Sequence, residues 1–308
     1  MGKHPALGHA MLATAVLLWG GNAVIARAAS GLDVPPMALN FWRWAVSFLV
    51  FLPFGFADIW RNFAIYRTSW PYLFLYGFVS VCGFNTFFYI ALQYTTAIQG
   101  TLIQSLLPAV VLLAAWLVFR QGMTGRQIAG IAVTVPGAAL VVLRGDVDRL
   151  IGLAFNLGDL LMLGSVACWA TQILILRFMP KGVGLAGFQT AAIFCGLTFN
   201  AALYAGEMAI GGHYMPVNPT SVFFVLYAGV MGGVIGMTLW NIGTFRVGGQ
   251  SAGYFGNLYP VFTALLAIPI LGEELYWYHL VGGAFVLSGI TLATSGPRRA
   301  PAPAAAAP

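Results

Sequence analysis

The chain has 308 residues, 60% of them hydrophobic and 7% charged, with a formal net charge of +6. An ordinary soluble domain carries about 25% charged residues, so this composition excludes a water-soluble fold and points to the bilayer as solvent. The basic residues stand one or two at a time at the ends of apolar runs, which is the positive-inside pattern of membrane proteins and not a nucleic-acid footprint.

Apolar runs bounded by charge, Gly and Pro predict ten spans, at roughly 8–27, 36–56, 71–94, 97–119, 125–143, 158–177, 185–204, 221–245, 251–271 and 276–294. Continuous stretches of about twenty residues specify helices, because a spanning barrel would show alternating segments of about ten. Lys3 and Ala26-Arg27-Ala28 give the first span the flanks of a signal peptide, but its apolar region is longer than a typical signal core. It is expected to be retained. With the N-terminus inside, ten of the fourteen basic residues are cytoplasmic: Lys3, Arg61, Arg67, Arg120, Arg126, Arg177, Lys181, Arg246, Arg298 and Arg299. Arg27, Arg144 and Arg149 fall outside, and Arg43 falls within a span. Both termini are therefore predicted to be cytoplasmic, in a multi-pass protein of the plasma (inner) membrane. Residues 297–308, rich in Pro and Ala, predict a disordered cytoplasmic tail. Cys82, Cys168 and Cys195 lie singly in apolar runs and read as packing residues, not as a disulfide framework or metal site.

An offset of 150 aligns Gly8 with Gly158, Trp19 with Trp169 and Arg27 with Arg177. An offset of 152 aligns Ile90 with Ile242, Leu106 with Leu258, Pro108 with Pro260, Gly130 with Gly282 and Gly137 with Gly289. Two such similar offsets in matching spans predict a duplicated five-helix unit, residues 1–150 and 151–296. Because five is odd, the second copy starts on the opposite side. The fold class is thus an all-α integral membrane protein, ten transmembrane helices as two inverted five-helix repeats. That architecture is a transporter signature, with the site between the halves near the midplane.

The Pro-centred fourth and ninth helices and the stretch Leu271-Gly-Glu-Glu-Leu-Tyr-Trp-Tyr-His-Leu-Val-Gly-Gly resemble the EamA-type branch of the drug/metabolite transporter superfamily. Gln121 departs from the pattern, standing where the repeat would place Glu273. The resemblance implies export of amino acids or other small metabolites, and Trp240-Asn241-x-Gly is similar to a stretch of the family's aromatic amino-acid exporters.

Polar side chains recur beside aromatics at helical spacing: Trp19 with Asn22, Asn85 with Tyr89, Thr101 with Gln104, Trp169 with Gln172, and Tyr254 with Asn257. Each pair shares one helix face. Together they predict a cavity of rings and amides suited to a small zwitterion; any one pair by itself reads first as interhelical glue. Trp60, Trp70, Trp116 and Trp277 fall at span ends, where aromatic belts anchor helices. Arg43 lies about 10 Å inside its span, where burial costs at least ~2.5 kcal/mol without water or a partner. It is expected either to attract a substrate carboxylate or to pair with helix carbonyls. Pro108 and Pro260 interrupt hydrogen bonding around Gln104 and Gly256 and are candidate hinges. Gly232-Gly233-x-x-Gly236 reads first as close packing and second as a hinge.

All eight acids and all four histidines fall in loops or at span ends, so no mid-membrane proton relay is visible. No nucleotide loop is present either. The reading is facilitated or gradient-driven transport by alternating access, with no cofactor or metal. Its partners are a small-molecule substrate and membrane lipid, with no nucleic acid, and the chain is expected to be a monomer with oligomers left open. Gly249-Gln250-Ser251-Ala252-Gly253 matches a hydrolase pattern but joins two apolar helices instead of a strand and a helix, so no enzyme is expected. The alternatives are a multidrug or nucleotide-sugar carrier, which a lone Arg43 and the missing buried acid argue against, and a non-transporting membrane sensor.

Overall fold

The computed structural model describes residues 5–146 and 155–294. Lys3, His4, Asp148, Arg149, Arg298, Arg299, the predicted tail and the junction between the halves lie outside the described residues, as do the side chains of Pro5, Gln250 and Ser251. Ten helices are long and apolar enough to cross a membrane: α1 (Ala6–Ser30), α2 (Pro36–Arg61), α3 (Trp70–Tyr94), α4 (Ala97–Phe119), α5 (Gly125–Val142), α6 (Leu157–Phe178), α7 (Leu185–Gly211), α8 (Pro219–Val247), α9 (Ala252–Leu271) and α10 (Trp277–Thr294). No strand occurs among the described residues. The face on which α1 begins is called the near face below, and the opposite one the far face.

The sequence reading ends the second and seventh spans at 56 and 204, short of Asp58 and Glu207. Both helices run on, because both acids find partners. Asp58 accepts from the Tyr66 hydroxyl at 2.6 Å, Asn62 Nδ2 at 2.8 Å and the Gly184 amide at 2.9 Å, at the start of α7. Burial, and then the bond to Asp58, hold the Tyr66 phenol well above its usual pKa, so it remains a donor. Glu207, near the end of α7, accepts from the amides of Met37 and Ala38 at the start of α2, at 3.3 and 3.0 Å. Each helix thus caps the other's N-terminus with an acid. A carboxylate is stabilising at a helix N-terminus, and such reciprocity is what a twofold relation between the halves produces.

The duplication is plain in the helix ends. α4 consists of two segments, Ala97–Gln104 and Leu107–Phe119, and α9 is interrupted at Asn257 and Leu258 in the same way, between a helix Gly249–Gly256 that begins just before the span and a helix Tyr259–Leu271. Adding 152 to each bound of the first pair gives the second, and the same shift turns α5 into α10. Pro108 and Pro260 occupy the second position of the later segments, so the helices break where the missing proline N–H predicts. α3 and α8 are not regular either. Each contains a widened, π-helical turn, Phe78–Gly83 and Tyr227–Gly236. α8 has 29 residues against 25 in α3, and the four-residue surplus lies in that stretch, ten residues against six.

The largest buried cluster gathers the far-face halves of α1, α3, α4 and α6, with Ala23, Phe88, Leu92, Ile98 and Met162 at its centre. α5 and α10 pack on each other through glycines. A Cβ on Gly130 would stand 2.5 Å from the Gly289 carbonyl oxygen, and one on Gly137 2.8 Å from that of Gly282. The aligned glycines Gly130 and Gly282, and Gly137 and Gly289, therefore meet crosswise, again as a twofold axis requires. Small residues let two backbones approach this closely in a bilayer. Gly137→Ile is expected to cost about 1–3 kcal/mol by overpacking, read as a lowered midpoint of thermal unfolding in detergent. Gly122→Ala, with open space around its Cβ, should leave that midpoint unchanged.

Candidate functional site

A cavity of about 240 Å³ lies between the halves. Neither α5 nor α10 contributes to its lining; the other eight helices all do. At its deep end Asn22 and Tyr259 are each 8% exposed, whereas Leu176 and Leu185, where α6 ends and α7 begins, are 40% and 58% exposed. The cavity therefore opens to the near face. Of the residues expected to line it, Trp19, Asn22, Arg43, Asn85, Gln104, Trp169, Gln172, Trp240 and Asn241 do so. Tyr89 stands behind the wall, fully enclosed, and donates to Asn22 Oδ1 at 3.1 Å. Tyr254, 41% exposed, and Asn257 are not among the lining residues. Gly233 and Gly236 lie close to neighbours: a Cβ there would stand 2.7 Å from Ser47 Oγ and 2.9 Å from Trp19 Nε1.

The widened turns position the one basic side chain in this lining. In α3 the carbonyls of Ser80 and Val81 accept from Asn85 Nδ2 at 3.2 and 3.1 Å. That fixes the Asn85 amide with its oxygen outward, where it accepts from Arg43 Nη1 at 2.6 Å. In α8 the Gly229 carbonyl accepts from Ser47 Oγ at 2.8 Å, one turn from Arg43, and the Gly232 carbonyl accepts from Trp19 Nε1 at 3.1 Å. The guanidinium carbon lies 4.8 Å from the Trp44 ring and 5.7 Å from the Tyr89 ring, within reach of cation–π attraction. Among the described residues no Asp or Glu lines the cavity.

Four buried polar atoms on cavity-lining residues have no hydrogen-bond partner: Arg43 Nε, Trp44 Nε1, Ser80 Oγ and Gln104 Oε1. Leaving such a group unmade costs about 1–3 kcal/mol. Two of the four are donors on adjacent residues, one of them charged, and the Gln104 oxygen is an acceptor. The walls between are aromatic. Trp19 contacts Trp240 at 5.1 Å and its repeat counterpart Trp169 edge-on at 6.2 Å, and Trp169 contacts Phe84 at 5.1 Å. Trp44, Ser80 and Gln189 join this lining without having been expected from the sequence. For Trp44 a signal exists, since it is a tryptophan well inside a span, as Trp19 and Trp169 are. Ser80 and Gln189 carry none.

The far face is sealed by polar contacts. Arg27 Nη1 donates to the carbonyls of Leu92 and Gln93 at the end of α3, at 3.0 and 3.3 Å. Glu273 accepts from the amides of Ala97 and Ile98 at the start of α4, at 2.7 and 3.0 Å. Gln99 joins Asp159 at 3.2 Å, the Val141 carbonyl at 2.6 Å and His279 at 3.1 Å. Thr95 donates to Asp159 at 2.6 Å.

Known proteins share this plan. A model of the EamA-like transporter family matches residues 6–143 and again 156–295, one match for each half. The uncharacterized transporter YyaM of Bacillus subtilis is 24% identical over 86% of this chain and 86% of its own length. A Streptantibioticus cattleyicolor protein named "Probable terminal-alkyne amino-acid exporter" is 28% identical over 63% of this chain and 62% of its own. A solved crystal structure superposes with a TM-score of 0.60 at 20% identity, covering 93% of this chain and 96% of that one, which supports the fold. With ten apolar helices, two matched halves and relatives that are transporters, the chain is a multi-pass membrane transporter and belongs to the EamA-like transporter family.

Proposed function

We propose that this transporter exports small amino acids, neutral or aromatic, by alternating access, with its near face in the cytoplasm. The observation that carries the reading is the pair of unpartnered buried donors, Arg43 Nε and Trp44 Nε1, in a cavity with no acid. A substrate carboxylate satisfies both donors and neutralises the guanidinium. The Gln104 oxygen and the ring faces then receive the ammonium group, and the side chain lies among Trp169, Phe84 and Trp240. The volume is below the roughly 300–1,000 Å³ of sites for drug-sized ligands, and one arginine is too few for a diphosphate. Relatedness to an amino-acid exporter supports the same substrate class. Orientation rests on charge: among the described residues the near-face ends and loops carry Arg61, Arg67, Arg120, Arg126, Arg177, Lys181 and Arg246, against Arg27 and Arg144 on the far side.

Flux of labelled amino acids through proteoliposomes holding the full chain tests the site. Arg43→Ala is expected to weaken apparent affinity for amino acids about 10- to 100-fold, the worth of hydrogen bonds to a charged group, and amino-acid amides should be poor substrates of the unaltered protein. Trp169→Ala should lose aromatic substrates first. If neither substitution changes any flux, the site is misassigned; if no amino acid crosses, the substrate class is wrong.

Energy coupling gives a separate expectation. With no acid in the cavity, a pH gradient imposed without an amino-acid gradient should drive no accumulation in the same vesicles. Uphill uptake under that condition would overturn facilitated export.

A further inference from the structure

We infer that Glu273 is the latch of the far gate and that its repeat counterpart, Gln121, leaves the near gate without one, so that this pair sets which face the cavity opens to at rest. The 152-residue shift relating α4 and α5 to α9 and α10 also places Gln121 at Glu273, Thr96 at Gly248, and Ala97 and Ile98 at Gly249 and Gln250. At the far end of α4 the helix start is closed twice. The Thr96 hydroxyl accepts from the Gln99 amide at 3.1 Å, and both carboxylate oxygens of Glu273 take the amides of Ala97 and Ile98. That second contact ties the loop between α9 and α10 onto α4, one half onto the other.

At the near end of α9 neither device is found among the described residues. Gly248 has no side chain to offer and sits at φ 88°, no side chain caps the helix, and Gln121 is exposed. An inverted repeat changes access by exchanging the conformations of its halves, and in the exchanged state Gln121 would meet the start of α9 as Glu273 now meets that of α4. A neutral amide oxygen is a weaker acceptor than a carboxylate, about half as strong, and lacks the carboxylate's attraction to the helix N-terminus. The far-closed, near-open state is therefore favoured, and that is the state whose cavity is exposed at Leu176 and Leu185. Glu273 and Gln121 act on access as positioning residues and do not line the cavity.

The inference rests on transport by alternating access and not on the substrate proposed above, because the test reads distances with no solute present. In the full-length protein with its three cysteines replaced by alanine, spin-label pairs would be placed at Tyr94 and Leu275 on the far face and at Gly122 and Gly253 on the near face. Unaltered at 121 and 273, the protein should give a short far distance and a long near one. Glu273→Gln should raise the far-open share about tenfold, the scale of a carboxylate at a helix N-terminus. Gln121→Glu, a change at an exposed position that leaves the core untouched, should shorten the near distance, and the double exchange should reverse the resting bias. A shift in Gln121→Glu is a gain that general destabilisation does not produce. A far distance unchanged by Glu273→Gln, or a near distance unchanged by Gln121→Glu, would overturn the assignment whatever the fluxes show.

Discussion

Inside hydrocarbon a backbone N–H or C=O has no water to turn to, so every departure from regular helix must be satisfied within the bundle. Among the described residues the span interiors depart from it at the widened turns of α3 and α8 and the breaks of α4 and α9. All four lie on the cavity or beside it. The carbonyls released in α3 orient Asn85 and, through it, Arg43; those released in α8 hold Ser47 and Trp19. The irregular backbone thus fixes the polar side chains that a solute would meet, and π-helical turns are often found at functional sites for this reason.

The remainder of the architecture separates support from movement. α5 and α10 meet through glycines at backbone distance and stay away from the cavity. Among the other eight, the starts of α2, α4 and α7 are each held by an acid from the opposite half, Glu207, Glu273 and Asp58 respectively. At the far face such contacts lie over the largest apolar cluster, since Ala97 and Ile98, whose amides Glu273 takes, are themselves part of it.

Much of this was legible from residue order. Pro108 and Pro260 located the breaks, and Trp19 and Trp169, matched at the same offset, do meet across the axis. The spacing of Tyr254 and Asn257 placed them on one face of a helix but could not say which face. Periodicity finds a stripe, and only packing decides whether the stripe turns inward. The widening of the turns was not encoded, since Phe78–Gly83 is apolar like its surroundings and the glycines of Tyr227–Gly236 read first as close packing. The acids were set at the span ends, yet the contacts that join helices lie far away in the chain, 126 residues for Asp58 and Gly184, 170 for Glu207 and Met37 and 176 for Glu273 and Ala97, distances no local pattern encodes.

The surplus turn in α8 has a consequence for the medium itself. Four added residues lengthen a helix by about 6 Å, and both α8 and its counterpart α3 already exceed the ~30 Å hydrocarbon layer. Excess length is taken up by tilt or by local thickening of the bilayer. Two helices that are equivalent by descent therefore carry unequal excess length, 29 residues against 25. The two halves thus meet the same bilayer with a difference that lies in backbone length and not in any side chain.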